Sequence, residues 1–136
     1  MTSLNYYNTF IEVADDCPAT RGEIPQPRGN KPTKAVLEYE LIAKHPYTYT
    51  GEDVAFQTYA LQQAIAKDRW PAERAKFLAQ DQACMRTSAL GKRYGWGVHC
   101  NEHGKVALVA LGSADYQRFT NNASLKHLKA MRSKRA

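Results

Sequence analysis

The segment from Cys84 to Leu111, CMRTSALGKRYGWGVHCNEHGKVALVAL, holds the residues of this chain whose types and spacing best suit chemistry. Ser88 can cap a short helix, whose free N–H groups attract an anion. Trp96 offers a flat stacking surface, and His99 belongs to the residue type that titrates near neutrality. We therefore predict a binding site for an anionic or aromatic ligand, or for a partner, formed by Arg86, Ser88, Lys92, Arg93, Trp96 and His99.

The same residues also fit a purely structural role. Trp96 would then belong to the core, Gly95 and Gly97 would permit a bulge, and the cations would be solvated. Alternation along the predicted strand places His99 on the face opposite Trp96. Convergence of the cations beside Trp96 would favour the binding site, and their separation would favour the scaffold.

A small enzyme that uses Cys84 or His99 is an alternative. Arg86 lies near Cys84 and would favour the reactive thiolate, while His99 would act as the base. The chain lacks a G-x-S-x-G segment, a glycine-rich phosphate loop and a C-x-x-C pair, so we assign no catalytic residue. His99, Cys100 and His103 resemble a metal motif, but adjacent strand residues point to opposite faces. We expect neither a metal nor a cofactor.

The net charge of +6 is concentrated at the C-terminus of the 136-residue chain. Residues 121–136 contain five cations and no acid, whereas the preceding 120 residues are nearly neutral. We predict one globular domain over residues 1–120 and a flexible basic tail over 121–136. A further alternative is association of this tail with nucleic acid through Lys126, Lys129, Arg132, Lys134 and Arg135. Its three apolar residues make a poor membrane anchor, so we expect no membrane partner.

Patterning predicts an α+β fold with a mostly antiparallel sheet of about four strands and helices mainly on one face. Strands are expected within 5–14, over 83–86, and in a hairpin formed by 94–100 and 105–111. Helices are expected over 34–44, 52–66 and 71–79, in a turn over 88–93, and after Ser113. Residues 52–66 also permit a strand. An irregular, proline-rich loop is expected over 15–32.

Four segments resemble a small bacterial family of uncharacterised proteins that is known only as a domain of unknown function. They are QACMRTSALGKRYGWGVH with the following EHGKVALVAL, the opening NTFIEVADDCPAT, and HPYTYTGEDVAF. The likeness covers roughly residues 5–119 and leaves the basic tail outside. Ala83 and Ala89 stand where relatives carry proline. The resemblance implies a single compact domain and transfers no catalytic residue.

The three cysteines, Cys17, Cys84 and Cys100, are too few for a disulfide framework. The N-terminus shows no basic segment followed by an apolar one, as a secretory signal would. A reducing cytoplasm is therefore the expected location.

Overall fold

The computed structural model describes residues 4–29 and 32–133 and centres on a four-stranded sheet of order β3-β2-β1-β4. The strands are β1 (Thr9–Glu12), β2 (Trp96–Cys100), β3 (Val106–Ala110) and β4 (Lys126–Lys129). The helices are α1 (Lys34–Lys44), α2 (Gly51–Gln62), α3 (Trp70–Leu78), α4 (Ala89–Lys92) and α5 (Ala114–Thr120). Two 3-10 turns cover Lys67–Arg69 and Met85–Thr87.

The sheet is mostly antiparallel. β1 pairs with β2, and β2 with β3, in antiparallel fashion, while β4 runs parallel to β1. The predicted α+β architecture, with about four strands and one globular unit, is confirmed. None of the helices in the described ranges has the length and apolar character needed to cross a bilayer.

The two faces of the sheet carry separate cores. One face packs strand residues such as Ile11 and Val98 against helix residues such as Ile42, Val54 and Leu90 of α1, α2 and α4. The other face packs Phe10 and Val109 against Tyr116 of α5. We call these the three-helix face and the α5 face. Gly97 is needed on the α5 face, since a Cβ there would lie 2.9 Å from the rings of Phe10 and Tyr116.

The local signals for helix starts are confirmed. Thr33 accepts a hydrogen bond from the N–H of Val36, and Thr50 forms a capping box with Asp53. Residues 51–62 are helical, which settles the helix-or-strand alternative, but α2 ends at Gln62 rather than at 66. Ala64 adopts a φ of 54°, a left-handed conformation that does not continue a helix.

Two predictions about the chain's organisation were wrong. The segment expected as a strand over 83–86 instead forms the 3-10 turn Met85–Thr87. The boundary at residue 120 also fails, because β4 of the predicted tail is a strand of the main sheet. The N–H of Ala130 donates to the Glu12 carbonyl at 2.8 Å, and Ala130 is buried. Parallel pairing with β1 therefore ties this segment into the domain, while Lys134 and Arg135 lie outside the described residues.

Candidate functional site

Ser88 is engaged inside the protein. Its Oγ donates to Glu38 Oε1 at 2.9 Å and accepts from the N–H of Leu90 at 3.1 Å, so it both caps α4 and holds a buried carboxyl group. Glu38 is 4% exposed, and burial raises the pKa of its carboxyl, opposed by the charge of Lys34 and the hydrogen bond from Ser88. Because both bonds are made within the protein, Ser88 is a structural residue that links α1 to α4.

Trp96 lies on the three-helix face, half-buried against α1. Its ring lies 5.4 Å from that of Tyr39, and its indole Nε1 donates to the carbonyl of Glu23 at 2.8 Å. A Cβ on Gly22 would lie 3.0 Å from the indole ring, so the loop after β1 passes directly over it. The indole therefore fastens this loop to the sheet.

His99 lies on the α5 face, away from Trp96, as strand alternation predicts. Its Nδ1 lies 2.8 Å from Tyr47 Oη, and its ring stacks on Phe119 at 4.4 Å between centroids. Burial lowers the pKa of His99, which favours the neutral imidazole that accepts the phenol proton. Tyr47 reaches this position from the α1–α2 loop with a φ of 57°, and its N–H donates to the Val106 carbonyl. Burial, and then the charge of Asp115, raise the pKa of Tyr47.

The structure does not favour the alternative in which His99 acts as the base for Cys84, because the two residues lie on opposite sides of the sheet. Cys84 lies on the three-helix side, where the Tyr6 hydroxyl donates to its Sγ at 3.1 Å. Burial and this contact raise the pKa of Tyr6 to about 12. The adjacent residues His99 and Cys100 also face opposite sides, and burial raises the pKa of Cys100 to about 12. In residues 4–29 and 32–133 no three histidine, cysteine or acidic side chains form a metal-binding group.

Arg86 joins the cationic segment before β2 to the C-terminal strand. Its Nε donates to the Lys129 carbonyl at 2.7 Å, and its own carbonyl accepts from the N–H of Met131 at 2.7 Å. A second junction lies beside it, where a Cβ on Gly91 would come within 2.9 Å of the Ala130 Cβ. α4 therefore lies directly against the end of β4. Two groups of cations that are far apart in the sequence become neighbours. We call this surface the basic edge: Arg86, Lys92, Arg93, Lys126, Lys129 and Arg132.

Charge pairing at the basic edge is uneven. Lys129 Nζ lies 2.8 Å from Asp15 Oδ1, and this bond raises the pKa of Lys129. In the part of the chain that the structure describes, the other five cations of the edge have no carboxylate within 4 Å. β4 is also a sheet edge, and Lys126 and Lys129 keep such an edge from pairing with other strands.

The predicted six-residue site is thus divided. Arg86, Lys92 and Arg93 belong to the basic edge, whereas Ser88 is internal, Trp96 holds a loop and His99 lies on the other face. Sequence reasoning missed the role of Tyr47 and of Glu38. Glu38 stands four residues before the buried Ile42, on the same face of α1, and this spacing signalled its burial. Nothing in the sequence near Tyr47 or Glu38 pointed to the partner of either residue.

Comparison with known proteins agrees with the predicted resemblance and extends it. No match was found among curated proteins or among solved structures. The matching family model spans the basic segment after residue 119, which the predicted likeness had left outside. Because the match covers residues 1–136, the chain belongs to the family of unknown function DUF6157.

Proposed function

We propose that this protein is a non-enzymatic binding module that holds a single strand of nucleic acid along the basic edge. The observation that carries the proposal is the pair of hydrogen bonds between Arg86 and the β4 segment. They place Arg86 of the first predicted site beside the cations of β4. The predicted site around Arg86 and the predicted basic tail were alternative places for an anionic partner, and together they form one surface.

The shape of the basic edge suits a polymer of phosphates better than one small anion. From Lys126 to Lys129 the strand covers about 10 Å, at roughly 3.3 Å per residue, and Arg132 follows three residues later. Arg86 lies alongside this length, and Gly91, which precedes Lys92 and Arg93 in the chain, packs against Ala130 at its end. A row of separated charges contacts successive phosphates, whereas a single phosphate needs donors that converge.

The five cations without a carboxylate neighbour supply the attraction. Arg presents a planar fork to phosphate oxygens, and Lys presents a mobile point charge. Neutralised phosphates release counterions, so affinity falls steeply with salt. Lys129 contributes less, because Asp15 already neutralises it. The three cysteines are unpaired, which supports a reducing compartment such as the cytoplasm for this role.

A charge-matched pair of variants tests the proposal. The edge variant carries Lys92→Gln, Arg93→Gln and Lys126→Gln. The control carries Lys44→Gln, Lys67→Gln and Lys76→Gln, which remove the same charge from α1, the first 3-10 turn and α3. Binding of a fluorescent, mixed-sequence single-stranded oligonucleotide is measured across a range of salt concentrations.

We expect the edge variant to lose at least about tenfold in affinity and about 2 units of slope in log K against log salt, at roughly 0.7 per contact. The control should retain the wild-type slope. Equal losses in the two variants would show attraction by net charge alone and refute the proposal. Full competition by millimolar inorganic phosphate would refute the polymer and favour a small anionic ligand.

A further inference from the structure

An open cavity of about 710 Å³ lies beside α5 and adjoins the basic edge, since the lining residue Glu12 stands opposite Lys129 in the β1–β4 register. Its wall includes Glu12 at the end of β1, Thr20 of the following loop and Leu111 after β3. α5 contributes Tyr116, Gln117 and Thr120. No described residue of the basic edge lines this space itself.

The hydroxyl of Thr120 is buried without a hydrogen-bond partner. Within residues 4–29 and 32–133 its oxygen is the one buried side-chain polar atom that has no hydrogen-bond partner. Thr58 shows the usual arrangement, because its buried hydroxyl donates to the Val54 carbonyl at 2.9 Å. An unpartnered buried hydroxyl is unfavourable for folding, and such a group in a native protein calls for an explanation. Thr120 also lines the cavity, and rotation of its side chain about the Cα–Cβ bond would bring the hydroxyl to a ligand that accepts its proton.

Glu12 gives the cavity a negative charge. Lys129 stands opposite Glu12 in the β1–β4 register, but its ammonium group pairs with Asp15 instead. In the described structure no cation lies within 4 Å of the Glu12 carboxylate. None of the described residues that line the cavity is a lysine or an arginine. Glu12 is the one charged group among the described lining residues, so the cavity attracts a positively charged group.

Further polar groups surround the carboxylate. Tyr116 Oη accepts from the N–H of Val13 at 3.0 Å, which leaves the phenol proton available. Thr20 and Gln117 add a hydroxyl and an amide, while Leu111 gives the wall an apolar part. Hydroxyl and amide groups at several points match a ligand that carries several hydroxyls of its own.

We propose that this cavity binds a small polyhydroxylated amine, of the chemical class of an amino sugar. The ligand's ammonium group pairs with Glu12, and one of its oxygens accepts the Thr120 proton once that side chain has rotated toward the cavity. The cavity volume of about 710 Å³ lies within the usual range of about 300–1,000 Å³ for ligand pockets, so a molecule of this size fits. This proposal is independent of the basic edge and stands or falls separately from it.

Glucosamine and glucose are the probes, because they differ in one group that is charged at mildly acidic pH. Amide chemical shifts of the ¹⁵N-labelled full chain are followed as each sugar is added. We expect saturable shifts around α5 and Gly112 with glucosamine, and binding about tenfold weaker with glucose, the factor lost with one charge-assisted contact. No saturable shift with either sugar would overturn the proposal.

Four variants locate the contacts. Glu12→Gln should abolish the preference for glucosamine, whereas Glu40→Gln, an exposed glutamate on α1, should leave it unchanged. Thr120→Val should weaken glucosamine binding without lowering the melting temperature, and Thr120→Ser should restore it. An unchanged preference in Glu12→Gln, or full binding by Thr120→Val, would also overturn the proposal.

Discussion

Replacement of Ser88 by alanine tests whether this residue is structural. The variant removes the hydroxyl that caps α4 and the donor that holds Glu38 Oε1. Loss of an N-cap costs about 1 kcal/mol of stability. A buried acceptor left without its hydrogen bond costs roughly 1–3 kcal/mol. We therefore expect Ser88→Ala to lower the free energy of unfolding by about 2–4 kcal/mol.

Thr33→Ala is the matched control, because Thr33 caps α1 and holds no buried acid. It should lower the free energy of unfolding by about 1 kcal/mol. Both variants are measured by urea denaturation followed by circular dichroism at neutral pH. A loss in Ser88→Ala no larger than the loss in Thr33→Ala would refute the structural role of the Glu38 contact.

Three further predictions concern stability. Burial raises the folded-state pKa of Glu38, so the folded protein holds this proton more tightly than the unfolded chain does. The stability gained from the protonated carboxyl is fully present below the unfolded pKa of about 4.3, and it is lost as pH rises through the higher folded value. Glu38→Gln should therefore gain stability relative to the wild type between pH 4 and pH 8 in urea titrations, and a constant difference would contradict this. Thr120→Val should leave the free energy of unfolding unchanged or raise it by about 1 kcal/mol, because the lost hydroxyl has no partner. Thr58→Val loses a hydrogen-bonded hydroxyl and should lower the free energy of unfolding by a similar amount. A larger loss in Thr120→Val than in Thr58→Val would contradict this reasoning. Gly97→Ala should cost about 1–3 kcal/mol in thermal unfolding, because its Cβ would meet the rings of Phe10 and Tyr116, and a neutral result would mean that these rings move freely.

Local signals in the sequence predicted the elements well. The caps at Thr33, Thr50 and Ser113 each depend on groups only three residues apart, so a short stretch of sequence contains both partners. Alternation along β2 likewise predicted that Trp96 and His99 would face opposite sides. The proposed site grouped them all the same, since nearness in sequence was given more weight than this alternation.

Long-range pairing could not be predicted from the sequence. β4 was missed because Leu125, Leu128 and Met131 recur every three residues, a spacing typical of a helix. Its strand structure depends on parallel pairing of Lys126 with Thr9 at the opposite end of the chain. The burial of Glu38 similarly depends on Ser88, 50 residues later. Nothing local to either residue specifies these contacts.

The most direct test of the basic edge is a map of the surface that a single-stranded oligonucleotide touches. Amide chemical shifts of the ¹⁵N-labelled chain are recorded as a mixed-sequence oligonucleotide is added at low salt. The account predicts shifts concentrated in Met85–Thr87, α4 and β4, which disappear as salt is raised. Shifts centred on α3, or shifts spread evenly over all exposed lysines and arginines, would contradict it.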